Sequence, residues 1–332
     1  MAQVDSGDVA EEPTGPMIVG LGEALYDCFA DREILGGAPI NFVVHAHQLL
    51  SVVGGSGVVV SRMGRDDLGI KLREVLRERG LDVGYIQSDQ RHPTGKVQVT
   101  LDAAGEPEYE ILTDVAWDYL APDPALDKAA GRCAAVCFGT LAQRGQASRA
   151  TIQKFVADAP QALRVFDVNL RQHYFSAEVI EQSLRLANFV KLNDDELPRV
   201  CRLLGIAADG DLERQARALI DAFALSGLAL TRGALGTTMY HKGEVYSGVV
   251  PTFPAELGAD SVGAGDGCCA GIICGLLLQW PAPRIVELAN AVGAFVAGRR
   301  GATPELPQSI LDMVIKAPGS AEGPPKRIQH DC

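Results

Sequence analysis

The chain has 332 residues, of which 47% are apolar and 22% are charged, as expected of a globular protein with a large core. Its formal net charge of −12 disfavours nucleic acid or an anionic membrane as a general partner. The N-terminal residues lack the basic-then-apolar pattern of a secretory signal, and the longest apolar run, 268–278, is too short to span a bilayer. We therefore expect a cytoplasmic protein whose eight cysteines are free and mostly buried thiols.

Strand-like apolar runs alternate with amphipathic helical stretches, which predicts an α/β fold with a mostly parallel sheet and helices on both faces. The predicted strands are 17–25, 57–63, 133–138, 163–168, 189–192 and 227–231, followed by a hairpin over 237–249. The predicted helices are 38–50, 66–79, 148–157, 177–187, 194–204, 268–278, 284–299 and 308–315. The polar, Pro- and Gly-containing ends predict flexible tails at 1–16 and 318–332 around one domain at 17–317.

One segment departs from this alternation of strands and helices. Residues 96–102 and 107–112 alternate polar and apolar side chains about a turn at 103–106, which predicts a hairpin. With short strands expected near 25–35, the 95–113 segment would form a small β lid apart from the main sheet; the alternative is an edge hairpin on the main sheet. A sheet with one apolar face needs a cover from substrate, the main domain or a second subunit. We expect a homodimer formed through this lid.

The segment 260–267, Asp-Ser-Val-Gly-Ala-Gly-Asp-Gly, carries the strongest chemical signal. Gly263, Ala264 and Gly265 leave the backbone almost bare, so their amides can approach an anion closely. The apolar run that follows predicts a helix, whose N-terminus favours negative charge. Asp266 lies in the same turn, where a carboxylate is unfavourable unless it has a task such as accepting a proton. The pattern predicts phosphoryl transfer; the alternative is a glycine turn in which the Asp caps the helix.

A second group of residues near the N-terminus is suited to binding hydroxyl groups. Asp27 follows the first strand and would point into the crevice at the carboxyl ends of a parallel sheet. Gly36 and Gly37 allow the backbone to approach a small ligand, and Asn41 offers both a donor and an acceptor. These residues predict a sugar site, with an ordinary turn and helix start as the alternative.

Taken together, these segments resemble the ribokinase-like (PfkB-type) carbohydrate kinases, and Gly-Gly-Ala-Pro-x-Asn at 36–41 is similar to the fructokinase branch. The similarity runs in the family's order over about residues 17–315 and includes 64–69, 94–96, 167–171, 193–196 and 231–236. The resemblance implies a ribokinase-like fold and an ATP-dependent kinase that uses Mg²⁺ to phosphorylate a primary hydroxyl of a small sugar, fructose first. The alternatives are 2-keto-3-deoxygluconate, which the 167–171 pattern also suits, and ribose.

The resemblance also implies roles for individual residues. Asp266 would be the base, the amides of Gly263, Ala264 and Gly265 an anion hole, and Arg171 a positive charge for phosphate or substrate oxygen. The implied sugar-binding residues are Asp27, Gly36, Gly37 and Asn41. The implied nucleotide-binding residues are Asn193, Glu196, Thr231, Gly233, Gly236 and Asn290. Glu196 would approach Mg²⁺ through water, and backbone at Asp260 and Val262 could hold a monovalent cation such as K⁺. Without the resemblance, Asn193 and Glu196 would read as a helix cap with first-turn acids.

Three other functions compete with this interpretation. A dinucleotide-dependent dehydrogenase could begin at Gly20-Leu21-Gly22, but Leu25 stands where the third glycine of that motif belongs. A P-loop enzyme is disfavoured because its phosphate-binding motif does not occur. A sugar-binding regulator without activity is disfavoured by the carboxylate of Asp266 within the anion-binding turn.

Overall fold

A computed structural model describes residues 15–101, 107–206 and 210–316. The strands are β1 (Met17–Leu21), β2 (Leu25–Cys28), β3 (Glu33–Gly36), β4 (Ser56–Gly64), β5 (Ile86–Asp89), β6 (Gly95–Leu101), β7 (Pro107–Ile111), β8 (Ala135–Phe138), β9 (Leu163–Asp167), β10 (Phe189–Asn193), β11 (Gly227–Thr231), β12 (Thr237–His241) and β13 (Glu244–Ser247). The helices are α1 (Ala38–Ser51), α2 (Asp67–Glu78), α3 (Pro124–Arg132), α4 (Gln146–Ala157), α5 (Ala177–Leu186), α6 (Glu196–Leu203), α7 (Leu212–Phe223), α8 (Ala264–Leu277), α9 (Ala282–Ala297) and α10 (Gln308–Ile315).

The main sheet has nine strands in the order β13-β12-β11-β10-β9-β8-β1-β4-β5. Every pairing from β11 to β5 is parallel, whereas β12 and β13 run antiparallel at one edge. Successive side chains of a strand point to opposite faces, so Ile18 packs in a core with α1, α8 and α9, and Val19 in a core with α4 and α5. These two cores confirm the predicted mostly parallel sheet between helical layers.

A second sheet of four strands, in the order β3-β2-β6-β7, stands apart from the main one. This arrangement confirms a separate lid and excludes the edge hairpin on the main sheet. The lid's apolar side chains Val97, Val99 and Ile111 are each only 7% exposed, because they pack in one core with Val115 and Trp117. The chain itself therefore covers much of the lid's apolar face.

Several predicted boundaries were wrong. The first strand ends at Leu21 rather than Leu25, since Leu25 already belongs to the lid as the start of β2. β5, α3 and α7 were not predicted, and α8 begins at Ala264, ahead of the apolar run, so that Asp266 lies in its first turn. The predicted tails fall mainly on residues 1–14 and 317–332, and the predicted lid turn on 103–106, all outside the described residues.

Three further sequence-based expectations can be compared with the fold. The seven cysteines within the described residues are all free, and six of them are buried, as expected. Within the described parts of the chain, no helix is long and apolar enough to cross a membrane. The first strand leads into the lid strand β2 and not into a helix, which differs from the strand–helix start of a dinucleotide-binding unit.

Candidate active site

The carboxyl ends of the parallel strands open into a cavity of about 560 Å³ beneath the lid. Side chains of Asp27 from the lid, Asn41 from α1, Arg171 after β9 and Asp266 from α8 all line it. The fold thus brings Asp27 and Asp266 into one cavity although they are 239 positions apart in the chain (266 − 27). The carboxyl edge of a parallel sheet allows this, because the loops after several strands meet there. The further predicted residues that line this cavity are Gly37, Asn193, Thr231, Val262, Gly263 and Gly265.

Asp266 is held in place by the side chain of Asn41. The Asn41 Nδ2 donates a hydrogen bond of 2.9 Å to Oδ2 of Asp266. Asn41 is only 4% exposed, and its own Oδ1 has no hydrogen-bond partner among the residues that the structure describes. One carboxylate oxygen of Asp266 is therefore fixed by the protein, and the acceptor atom of Asn41 remains unpaired within the described residues.

The turn before α8 requires glycine at position 263. Gly263 has a φ of +79°, and a Cβ there would lie 2.4 Å from the carbonyl oxygen of Ala302. The N–H of Ala264 donates to the Ser261 carbonyl at 3.2 Å. No hydrogen-bond acceptor for the N–H of Gly263 or Gly265 occurs within the described residues. These two amides at the N-terminus of a fourteen-residue helix are suited to an anion.

A second cavity, of about 680 Å³, adjoins the first. Thr231, Ser261 and Gly265 line both cavities, whereas Asp266 lines only the first. The second cavity is largely apolar and also contains the predicted residues Gly233, Gly236, Ala264 and Asn290. The two cavities therefore meet at the turn before α8, with the carboxylate of Asp266 on one side.

The side chain of Asn290 in α9 forms hydrogen bonds to the backbone around the second cavity. Its Oδ1 accepts a hydrogen bond of 2.9 Å from the N–H of Thr237, at the start of β12. Its Nδ2 donates to the carbonyl oxygens of Gly248 at 3.1 Å and Val249 at 3.3 Å. Because the side chain is buried and its polar atoms are occupied, it shapes this cavity through the backbone around it.

Asn193 and Glu196 form a reciprocal cap at the start of α6. The Asn193 Oδ1 accepts from the N–H of Glu196 at 2.8 Å, and Glu196 Oε2 accepts from the N–H of Asn193 at 2.9 Å. Glu196 Oε1 accepts from the N–H of Leu170 at 2.8 Å, which joins this cap to the loop after β9. The helix cap that the sequence offered as an alternative is thus present, and each carboxylate oxygen keeps a lone pair for a water molecule.

The lid residue Asp27 is half-buried, and burial raises the pKa of its carboxyl group to about 6, although Arg171 opposes the rise. Behind it, Gly37 has a φ of +105°, and a Cβ there would lie 2.6 Å from the carbonyl oxygen of Glu23. A Cβ on Gly36 would stand 3.0 Å from Asp27 Oδ2. The double glycine therefore lets the chain pass close to the residues that line the cavity.

Asp260 lies outside both cavities, yet its surroundings are well defined. Its N–H donates to the Arg299 carbonyl at 3.0 Å, and its Oδ2 accepts from the N–H of Gly301 at 3.3 Å. Its Oδ1 accepts from the N–H of Val262 at 3.1 Å. The segment before α8 and the turn at 298–301 therefore run side by side.

The predicted residues that line neither cavity are Gly36, Glu196 and Asp260.

Two charged residues of the first cavity were missed by the sequence analysis. Glu23 follows β1, is only 3% exposed, and burial raises the pKa of its carboxyl group to about 7. Lys191 lies in β10, is 6% exposed, and its Nζ donates to both carboxylate oxygens of Asp167, at 3.1 and 3.2 Å. Burial lowers the pKa of Lys191, but the carboxylates of Asp167 and Glu196 raise it more, so the ammonium group stays charged. The sequence signal that could have identified Lys191 is a lysine within the otherwise apolar predicted strand 189–192.

Comparison with known proteins assigns the family. A model of the pfkB family carbohydrate kinases matches residues 20–309. The chain is 28% identical over 305 residues to a fructokinase of Escherichia coli, covering 86% of this chain and 95% of that protein.

Solved structures agree in fold. A fructokinase from Xylella fastidiosa with bound ATP superposes with a TM-score of 0.76 at 23% identity, covering 90% of this chain and 98% of the other. A putative ribokinase II from E. coli, in complex with ATP and Mg²⁺, superposes with a TM-score of 0.73 at 20% identity, covering 91% and 99%. These likenesses confirm the ribokinase-like fold, and with the family match over 20–309 they establish that the chain belongs to the pfkB family of carbohydrate kinases.

Proposed function

We propose that this carbohydrate kinase transfers the γ-phosphoryl group of ATP to a primary hydroxyl of fructose. The observation that supports this most directly is the meeting of the two cavities at Gly265, with Asp266 facing only the first. A sugar in the first cavity and a nucleotide in the second would meet at the N-terminus of α8, where the helix dipole favours phosphate. The E. coli fructokinase at 28% identity supports fructose, and the ATP bound to the Xylella fructokinase supports ATP.

In this proposal Asp266 accepts the proton of the primary hydroxyl while that oxygen forms its bond to the γ-phosphorus. The bond between the γ-phosphorus and the bridging oxygen breaks, and ADP leaves with the electron pair. Asn41 holds Oδ2 of Asp266 through the 2.9 Å hydrogen bond, so Oδ1 is the oxygen that receives the proton. A base positioned in this way contributes about 10²–10⁴-fold to the rate.

The amides of Gly263 and Gly265 donate to the transferring phosphoryl group, and Ala264 continues the same turn. Each such donor contributes about 10²–10³-fold, because it is already oriented before charge develops. Arg171 and Lys191 line the same cavity; Arg171 adds positive charge to it, whereas the charge of Lys191 is balanced by Asp167. Lys191 has three N–H donors, of which two point to the oxygens of Asp167, so one is left for the cavity.

Mg²⁺ would neutralise part of the charge on the nucleotide phosphates. The residues present fit an ion that keeps several waters, because each oxygen of Glu196 retains a lone pair after accepting a backbone N–H. Glu196 would hold that ion through water, and Asn193, whose Oδ1 already accepts from two backbone N–H groups, would hold Glu196 in position. Thr231, Gly233, Gly236 and Asn290 would bind or shape the site of the nucleotide, and Asp27, Gly36, Gly37 and Asn41 that of the sugar.

The charges of the first cavity favour a neutral sugar over a sugar acid. Three carboxyl groups line it, those of Glu23, Asp27 and Asp266. Of the two cations that line it, Lys191 is already paired with Asp167, which leaves Arg171. A sugar carboxylate would bring a further negative charge into this partly buried site, where Arg171 already acts on the carboxyl group of Asp27. Fructose is therefore favoured over 2-keto-3-deoxygluconate.

A coupled assay with ATP and Mg²⁺ over fructose, 2-keto-3-deoxygluconate, ribose and nucleosides tests the proposal. We expect fructose to have the highest kcat/KM, and Asp266→Asn to lower kcat by at least ~10²-fold. The matched control is Asp67→Asn, which removes a carboxylate from the first turn of a different helix, α2. This control should leave kcat unchanged.

Three outcomes would contradict parts of this assignment. Turnover of Asp266→Asn at the wild-type rate would exclude it as the base, and preference for another substrate would exclude fructose. Sugar binding without turnover of any substrate would favour a regulator without activity.

Three further properties are part of the proposal. Backbone carbonyl groups near Asp260 and Val262, beside the 298–301 turn, would bind K⁺; replacement of K⁺ by tetramethylammonium should then lower kcat. The lid would mediate a homodimer, with Tyr109 on β7 half exposed, and sedimentation showing only monomer at micromolar concentration would contradict this. The free thiols suit the reducing cytoplasm, which cell fractionation can test.

A further inference from the structure

Glu23 is a buried carboxyl group of the sugar cavity that the proposed reaction does not yet use. It follows β1, is only 3% exposed, and lines the same cavity as Asp27, Asn41 and Asp266. The backbone N–H of Ala38, at the start of α1, interacts with this carboxyl group. Its Oε2, however, has no hydrogen-bond partner anywhere in the described chain. A buried polar atom without a partner is costly, so an atom of a bound ligand is expected to satisfy it.

Burial favours the neutral form of Glu23. Burial raises its pKa to about 7; the Asp266 carboxylate adds to that rise, and Arg171 opposes it. Asp27, on the facing lid strand, contributes a further carboxyl group to the cavity, and Lys191 is already neutralised by its ion pair. A substantial fraction of Glu23 therefore carries a proton near pH 7. A neutral carboxyl group has one O–H donor, which the ionised group lacks.

A second unsatisfied atom lies in the same cavity. The Oδ1 of Asn41 is buried and has no partner among the described residues, while Nδ2 of that side chain donates to Asp266. Neutral Glu23 supplies a donor and Asn41 Oδ1 supplies an acceptor. A sugar hydroxyl both donates and accepts hydrogen bonds, so it matches this pair, whereas a methylene group at the same place would leave both atoms unsatisfied.

We propose that Glu23 is a specificity-determining residue of the sugar cavity, which donates its carboxylic O–H to a sugar oxygen while Asn41 Oδ1 accepts from a sugar hydroxyl. This inference rests on the proposed sugar kinase function. Glu23 has no part in the proton transfer, which remains with Asp266. Its loss should therefore weaken sugar binding more than it slows the chemical step.

The experiment compares full-length wild type, Glu23→Gln and Glu23→Ala, with Glu74→Gln, an exposed glutamate of α2, as the matched control. Steady-state kinetics with the best sugar of the panel are measured from pH 6.5 to 8.5. The wild-type KM for sugar should rise about tenfold across this range as Glu23 loses its proton, since one hydrogen bond to the ligand is lost. The KM for ATP should not follow that rise.

The variants separate binding from a structural role. Glu23→Gln keeps an N–H donor at every pH, so its KM for sugar should stay flat where that of the wild type rises. Glu23→Ala should raise the KM for sugar about tenfold at pH 6.5, with kcat lowered by less. Because Asp27 titrates near the acid end of the range, the difference between wild type and Glu23→Gln is the quantity that reports on Glu23.

Each outcome has a definite meaning. If Glu23→Gln follows the same pH dependence as the wild type, the inference is overturned while the kinase function stands. If Glu23→Ala does not fold, the comparison of Glu23→Gln with wild type still decides. If the wild type phosphorylates no sugar at any pH, the proposed function fails, and this inference fails with it.

Discussion

Substitution of Gly263 by alanine is the sharpest test of the anion-binding turn. Gly263 has a φ of +79°, where an L-residue costs about 1–2 kcal/mol. The added Cβ would also lie 2.4 Å from the Ala302 carbonyl oxygen, whereas ordinary van der Waals contact begins at 3.4 Å. The turn must therefore move by about 1 Å (3.4 − 2.4), which at a catalytic site can cost about 10²-fold. We expect kcat to fall by about 10²-fold.

Gly243 provides a matched control. Its φ is +81°, almost that of Gly263, but nothing lies within 4 Å of a Cβ built there. Gly243→Ala should therefore lose about 1–2 kcal/mol of stability through backbone strain alone, as Gly263→Ala does. It should leave kcat unchanged. The difference in kcat between the two variants isolates the displacement of the turn from the strain.

The assay is a coupled ADP-release measurement on both variants, with thermal melting to establish that each is folded. A third variant, Gly263→Ala with Ala302→Gly, should remain impaired, because the Ala302 carbonyl oxygen and Cα still crowd the new Cβ at 2.4 and 2.7 Å. A folded Gly263→Ala whose kcat lies within about threefold of the wild type would refute the reasoning, since the expected cost is about 10²-fold.

Two further substitutions test the walls of the two cavities. Lys191→Met should destabilise the fold by about 3–5 kcal/mol in urea unfolding, because it leaves the buried Asp167 carboxylate unpaired. Adding Asp167→Asn to this variant should recover part of the lost stability. A loss below about 1 kcal/mol for Lys191→Met would contradict a buried ion pair. Asn290→Ala removes the three side-chain hydrogen bonds that shape the second cavity, so the KM for ATP should rise about tenfold while that for sugar stays constant. An equal rise in both constants would contradict the separation of the two cavities.

The chain order of the fold could be predicted because local patterns and topology agree. Apolar strands alternate with amphipathic helices from β8 to β11, and a parallel sheet is the usual solution for that alternation. The end of the first strand could not be predicted, because only Glu23 interrupts the apolar and glycine residues of 17–25. Only the tertiary structure assigns Leu25 to the lid, where it pairs with Gly36 and Gly95.

The candidate site was predicted where a residue's role depends on its immediate neighbours in the chain. Gly263, Gly265 and Asp266 fall in one turn, so their chemistry is visible in the sequence. Glu23 and Lys191 were missed because their significance depends on burial and on partners far along the chain, which no local pattern shows. Lys191 meets Asp167 across 24 positions, on the neighbouring strand.

Asn193 and Glu196 illustrate a third situation. The same four residues suit a helix cap and a nucleotide site, and the structure places their side chains in a reciprocal cap. The two roles do not exclude each other, because each carboxylate oxygen of Glu196 accepts only one backbone N–H and keeps a lone pair. A kinetic measurement of Mg²⁺ dependence is needed to separate them.

The hydrogen bond from Asn41 to Asp266 has a consequence for how ATP is protected in the absence of sugar. The bond joins α1 to α8 and occupies Oδ2 of the base before any substrate arrives. A water molecule in the empty cavity would meet a carboxylate that is already restrained toward Asn41, without the several contacts that would align a sugar hydroxyl. Under the proposed mechanism, Oδ1 of Asp266 stays free in the empty cavity, so ATP is protected because water lacks those aligning contacts and not because the base is blocked.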